Sequence, residues 1–266
     1  MQKKYLCRVI SLNKDAENTQ KLISDLTTQG INADVFDAVD GRDGEPSLER
    51  GEYFRDTLAM IRHGKRLTNS ELGCYLSHFR AVKQAYDEGY EYACLFEDDV
   101  VIESLFGDVF KVLLEKDLDM VRLMSLKLRK RKVLGPLFDK HCLVRQERGG
   151  LGAQAYLLNR TGMKKFLDYG CGIYEPVDKV FDHFFLFDLN VFAVEPHVAF
   201  ELLHETSVAK RPPVHSDSPN LWHRLMFHPV KLWFSLCRHI YRLRHRQAFL
   251  DAEMPDASIS KTTRKH

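Results

Sequence analysis

The sequence predicts an α/β protein built on a Rossmann-type mixed sheet flanked by helices, and three observations carry that expectation. The chain opens on an apolar stretch, a helical stretch and a second apolar stretch, the β-α-β order that starts a nucleotide-binding sheet. Its middle holds a short run of buried character, Tyr92 to Phe96, that stops abruptly at Glu97, Asp98 and Asp99. With 266 residues, 44% hydrophobic and 29% charged, it can bury a full core and fits one large domain with an appendage.

Tyr5 to Leu12 reads as the first strand, with Val9, Ile10 and Leu12 on its buried side. Leu22, Ile23 and Leu26 give the following helix an apolar stripe, and Gly30 ends it. Ala33 to Ala38 is the second strand. The GxGxxG fingerprint is missing, which disfavours classical NAD binding. At the turn Ala38-Val39-Asp40-Gly41, Asp40 can bond a ribose hydroxyl, although an Asp before Gly needs no ligand to explain it. Residues 42–66 are charged and poorly periodic and read as a loop with one helical turn, lying over the site. Thr68 and Glu71 form a capping box, and Leu72, Leu76, Phe79, Val82 and Tyr86 continue an apolar face as far as Gly89. Gly73 in the first turn costs about 1 kcal/mol relative to Ala, so something passes close to its backbone. His78 is a candidate site residue on the same helix, although a lone histidine there is more often structural.

Beyond the acids, Leu105 to Leu114 reads as a helix and Leu118 to Met124 as a strand. The basic run Lys127 to Lys132 reads as a solvated loop, or as a contact for acceptor phosphates. Gly149, Gly150 and Gly152 let backbone approach a bound group before the strand Ala153 to Leu158. Pro176 reads as the first residue of a helix carrying Asp178 and Asp182 one turn apart on one face, with Val177, Phe181 and Phe184 on the apolar side. Val191 to Val194 is a further strand.

The acids invite two readings. Ligands bind at the carboxyl edge of open α/β sheets, and adjacent carboxylates there repel unless a hard divalent cation or a solvated turn relieves them. A metal site for a phosphorylated substrate and an acidic surface turn both fit. In an extended segment, Glu97 and Asp99 would share a side.

The first twelve residues read as a strand rather than a signal peptide, and no run approaches the roughly 18 apolar residues of a membrane span, so a cytoplasmic protein is expected. Six scattered cysteines without CxxC spacing read as small core residues. The net charge of +2 hides an asymmetry: residues 1–209 hold 28 Lys and Arg against 33 Asp and Glu, whereas residues 210–246 hold 8 against 1. The expected division is therefore a catalytic unit, 1–209, and a basic amphipathic segment, 210–266, whose interleaved Trp222, Leu225, Trp233, Leu236 and arginines suit an anionic membrane surface. No nucleic-acid module precedes that segment, so a nucleic-acid partner is not expected.

Taken in order, VISL, AVDG, LTNSELGCYLSH and LFEDDV resemble the motifs of glycosyltransferase family 25, the bacterial lipopolysaccharide-biosynthesis group that also includes collagen galactosyltransferases. Gly152 to Leu158 with Arg160 and Gly162, and Pro176-Val177-Asp178, resemble two further motifs. Ser70 departs from the glycine usual there. The likeness covers roughly residues 5–208. It implies a GT-A-like fold that binds a nucleotide sugar, usually UDP-galactose, and transfers the hexose with inversion to a lipid-linked oligosaccharide on the cytoplasmic face of the inner membrane. It also implies Mn²⁺ or Mg²⁺ on Asp99 with Glu97, donor contacts from Ser11, Leu12, Asp40, Gly41, Glu97, Asp98 and Gly152, and Asp178 as general base with Asp182 as the fallback. The family returns to the site near His204 and Ser207, but without its usual glutamine here. A catalytically silent membrane-bound scaffold and a metal-dependent nucleotide phosphohydrolase are the alternatives.

Overall fold

The structure is a computed structural model that describes residues 3–127, 129–202 and 218–255, with the backbone of residues 263–264. β1 (Tyr5–Ser11) sends Leu6 and Ile10 to one face and Cys7 and Val9 to the other, as a strand covered on both sides requires. It stops one residue short of the expected end, and Leu12 is 49% exposed rather than buried. α1 (Glu17–Thr28) buries Leu22 and Leu26 and leads through Gly30, in the left-handed region, to β2 (Asp34–Asp37), parallel to β1. Residues 42–66 hold more order than a loop: β3 (Tyr53–Phe54) and α2 (Asp56–His63) lie there, the helix burying Ala59, Met60 and Ile61. Its apolar side is only three residues wide, too brief to show as a period among so many charges.

α3 (Asn69–Asp87) starts at the Thr68–Glu71 capping box, both hydrogen bonds of which are made. The close pass expected at Gly73 is the Val39–Gly41 turn. A Cβ on Gly73 would stand 2.5 Å from the Val39 carbonyl oxygen, and one on Gly41 would stand 2.0 Å from that of Asn69. The Val39 N–H donates to Ser77 Oγ at 2.8 Å and holds the crossing together.

β4 (Tyr92–Glu97) is parallel to β1 on the side away from β2. Asp98 and Asp99 then form a tight turn into β5 (Val100–Ile102), so the chain is not extended through the acids and strand alternation does not set their directions. α4 (Phe106–Leu114) and β6 (Met120–Arg122) follow, the strand shorter than expected at both ends. The basic run leads into a hairpin that its charges disguise, β7 (Arg131–Phe138) and β8 (His141–Gln146). Next come β9 (Ala155–Asn159), α5 (Arg160–Gly170) and β10 (Gly172–Ile173), which pairs with β3. α6 (Val177–Asp182) has Pro176 at its N-cap rather than inside the helix. β11 (Val191–Glu195), β12 (Ala199–Leu202), α7 (Leu221–Arg244) and β13 (Thr263–Arg264) complete the described chain.

The main sheet has eight strands in the order β2-β1-β4-β9-β6-β11-β8-β7, mixed parallel and antiparallel, and β13-β12-β5 form a small second sheet. One face of the main sheet packs on α3, α5, α6 and α7, and the other on α1 and α4. Strand order reverses between β1 and β4, whose carboxyl ends share a rim. Such a switch point is where open α/β sheets bind ligands. α7 buries Phe234 and Tyr241 in the core shared with α3 and α5, so this part of the basic segment is packed on the body.

Gly73→Ala is expected to lower the free energy of unfolding by about 1–3 kcal/mol, despite alanine's better helix propensity, because the added methyl overlaps rigid backbone. Urea unfolding reads this, and an unchanged midpoint would mean that the crossing has room to give.

Candidate functional site

The rim at the β1/β4 switch gathers four carboxylates with unequal partners. Asp98 is anchored: Ser11 Oγ donates to its Oδ2 at 2.5 Å, and Asn18 Nδ2 donates to its backbone oxygen at 2.8 Å. Glu97, at the end of β4, lies 3.3 Å from His78 Nε2, and the other ring nitrogen of His78 lies 3.0 Å from the Tyr156 hydroxyl. Asp99 is different. Its Oδ1 is buried and has no hydrogen-bond partner among the described residues. Burial above all, and then the charges of Glu97, Glu201 and Asp98, push its carboxyl up from 3.8 to about 8. Glu201 arrives from the second sheet, where β12 pairs antiparallel with β5 and the Leu202 N–H donates to the Asp99 carbonyl at 2.8 Å. Burial, followed by the charge of Glu97, raises Glu201 as well. A buried carboxylate oxygen without a donor, among three like charges, is a site that a cation or a proton completes. Because the donors are all oxygen, the set suits a hard divalent ion.

α6 carries Asp178 to the same neighbourhood and is pinned on both flanks. Before it, the fully buried Glu175 carboxylate meets His183 Nδ1 at 2.6 Å and His63 Nε2 at 3.2 Å. Burial would raise this acid, but the two histidine contacts outweigh it and hold the carboxyl at about 2. At its end, Asp182 accepts from buried Arg122 at 2.7 Å and from the Leu151 N–H at 3.2 Å. Arg122 also donates to the carbonyls of Leu151 and Gly152, so one guanidinium fixes both the glycine loop and the helix end. Asp178, half-buried between these anchors, is near enough to Cys74 that burial together with the charges of Glu97, Asp178 and Asp99 pushes that thiol well up.

The other expected site residues fall as follows. Ser11 spends its hydroxyl on Asp98 and other near contacts, and Leu12 is exposed beside it. Asp40 pairs with Arg42 in an exposed turn on the same rim, while Gly41 is buried against Asn69. Gly152 lies in the left-handed region, where a Cβ would strike Gln154 Oε1. Asp182 is committed to Arg122. His204 and Ser207 lie outside the described residues. Three residues were not expected: Arg122, Glu201, and Gln154, whose buried Oε1 lacks a partner among the described residues. The signal for Arg122 was an arginine inside an apolar run. For Glu201 it was an acid closing the run Val198-Ala199-Phe200.

Comparison with known proteins gives a consistent assignment. Residues 1–181 match the family described as Glycosyltransferase family 25 (LPS biosynthesis protein). The chain is 28% identical over 174 residues to the lacto-N-neotetraose biosynthesis glycosyltransferase LgtE of Neisseria meningitidis serogroup B, covering 60% of this chain and 59% of that one. It is 24% identical over 213 residues to procollagen galactosyltransferase 1 of Danio rerio, covering 71% and 35%. It is 32% identical over 120 residues to inactive glycosyltransferase 25 family member 3 of Mus musculus, covering 44% and 20%. The chain thus spans less than two thirds of the length of each of these relatives.

With its carboxyl raised to about 8, folded Asp99 keeps a proton that the unfolded chain releases near pH 4. Stability therefore falls as pH rises between about 4 and about 8. The thermal midpoint of the metal-free protein is expected to drop across that window, and Asp99→Asn to flatten the drop; equal slopes in both proteins would place the titrating strain elsewhere.

Proposed function

Because the chain belongs to glycosyltransferase family 25, we propose that it is an inverting hexosyltransferase, moving galactose from UDP-galactose to a lipooligosaccharide-core acceptor. The observation that carries this reading is Asp99: a buried carboxylate oxygen with no hydrogen-bond partner among the described residues, on a carboxyl whose pKa is raised by burial and by the charges of Glu97, Glu201 and Asp98. Asp99 with Glu97 would hold Mn²⁺ or Mg²⁺, and Asp98, anchored by Ser11 Oγ, would contact the donor. When bound, such an ion neutralises the charge that develops on a departing nucleoside diphosphate.

The remaining work falls to the protein's own side chains. Inversion is a single displacement, so one base must take the acceptor hydroxyl's proton as the bond to the anomeric carbon forms. Asp178 has that role, because α6 is fixed at Glu175 and at Asp182 and leaves Asp178 half-buried beside the acids. Asp182 serves as its support, its carboxylate being held by Arg122. Gln154 would offer a carbonyl oxygen, without a partner among the described residues, to a sugar hydroxyl.

A relative named inactive keeps a silent scaffold as the competing reading. The two separate when the protein is incubated with a panel of UDP-sugars, with Mn²⁺ or chelator, with and without truncated lipooligosaccharide. Acceptor-stimulated, metal-dependent UDP release is expected, with loss of at least 100-fold in Asp99→Asn, on the order of the penalty for removing a transition-state charge stabiliser. Donor binding without turnover would favour the scaffold, and acceptor-independent phosphate release a hydrolase.

The C-terminal helix supports attachment at a membrane surface. No helix among the described residues is long and apolar enough to cross a membrane. Instead α7 turns Phe234 and Tyr241 inward while Trp222, Leu225, Leu232, Trp233, Leu236 and Leu243 remain exposed beside Arg224, Lys231 and Arg244. An apolar stripe flanked by cations suits an anionic interface, where each cation contributes about 1 kcal/mol. Since α7 is part of the core, the informative variant keeps the helix: Leu225→Ser with Trp233→Ser is expected to weaken binding to phosphatidylglycerol vesicles at least 10-fold and leave turnover on a soluble acceptor unchanged. Equal vesicle binding would remove the membrane role.

A further inference from the structure

Cys74 and His78 are four residues apart on α3 and so share one helix face, and the end of β4 brings Glu97 against them. One ligand atom from each, Sγ, an imidazole nitrogen and a carboxylate oxygen, lies within 4.8 Å of the other two. We propose that Cys74, His78 and Glu97 form a binding site for a thiophilic divalent cation of the Zn²⁺, Cd²⁺ or Co²⁺ class.

Several features favour a soft ion here. The three donors are one each of sulfur, nitrogen and oxygen, the mixture zinc accepts and Mg²⁺ or Ca²⁺ does not. Zinc bonds of about 2.0–2.3 Å in a tetrahedron set ligand atoms about 3.5 Å apart, so the widest pair must close by only about 1 Å. His78 and Glu97 already stand 3.3 Å apart. The second shell is also in place: the buried Tyr156 hydroxyl lies 3.0 Å from His78 Nδ1, so it can accept the Nδ1–H and leave the Nε2 lone pair turned to the ion. Cys74 and Glu97 remain partly accessible, giving an ion a way in and a fourth position for water. On binding, the Cys74 S–H bond breaks, its proton leaves to solvent, and the thiolate lone pair forms the bond to the ion.

A soft ion here engages Glu97, which the oxygen set also uses. Displacement of Mn²⁺-dependent turnover by Zn²⁺ therefore rests on the function proposed above, but the binding itself does not, and it is tested without turnover. Full-length protein is titrated with Co²⁺ in the absence of nucleotide. A near-ultraviolet thiolate-to-cobalt charge-transfer band saturating at one ion per chain is expected. It should disappear in Cys74→Ser, persist in Cys171→Ser, and require about 10-fold more Co²⁺ in Tyr156→Phe, the loss typical of removing an outer-shell partner. In the unmodified protein, one equivalent of Cd²⁺ should slow alkylation of Cys74 by iodoacetamide at least 10-fold, read by peptide mass, and Mg²⁺ should not. Absence of the band, its survival in Cys74→Ser, or equal alkylation with and without Cd²⁺ would overturn the assignment, and the alkylation result holds whether or not a variant folds.

Discussion

The structure turns on an electrostatic conflict at the end of β4. Three consecutive acids leave a buried strand, and the fold gives two of them polar partners: Glu97 meets His78, and Asp98 accepts from the Ser11 hydroxyl. The third buries an Oδ1 that has no hydrogen-bond partner among the described residues, and a strand from another sheet adds Glu201 to the same region. Burying carboxylates together is unfavourable unless something positive or a proton joins them. The protein concentrates this cost beside the β1/β4 switch in strand order, and the surrounding elements keep the acids from relaxing apart.

That restraint is visible in how the neighbouring pieces are held. Gly41 and Gly73 let the Val39–Gly41 turn lie directly on α3, which sets the height of Cys74 and His78 against β4. Arg122, buried in the sheet, ties the glycine loop to Asp182, and Glu175 ties the start of α6 to α2 through His63. The half-buried Asp178 lies between two anchored points, and an anchored carboxylate keeps its position relative to a bound hydroxyl better than one on a free loop.

Much of this was legible in the sequence where the signal was local. The β-α-β opening, the Thr68–Glu71 capping box and the constraint on Gly73 each depend on a few neighbouring residues, and each is present. The β7–β8 hairpin was hidden because its outer strand is largely exposed and charged at its start, so no buried alternation marks it. The direction of the acids was also unreadable. Spacing places Glu97 and Asp99 on one side only if the chain stays extended, and it turns at Asp98 and Asp99 to enter a second sheet. Glu201 and Arg122 reach the site only through pairings distant in sequence, β12 with β5 and β6 with β9 and β11. Motif resemblance links segments that local pattern cannot connect.

The central claim is that the acids at the β4 turn hold a divalent cation. It is tested most directly by anomalous diffraction at the manganese edge from crystals grown with Mn²⁺ and UDP. The account predicts a single strong peak about 2.1 Å from Asp99 Oδ1, within bonding reach of Glu97 or Glu201 and of a UDP phosphate oxygen. No peak at that turn, with Asp99 found hydrogen-bonded to a protein donor instead, would contradict it.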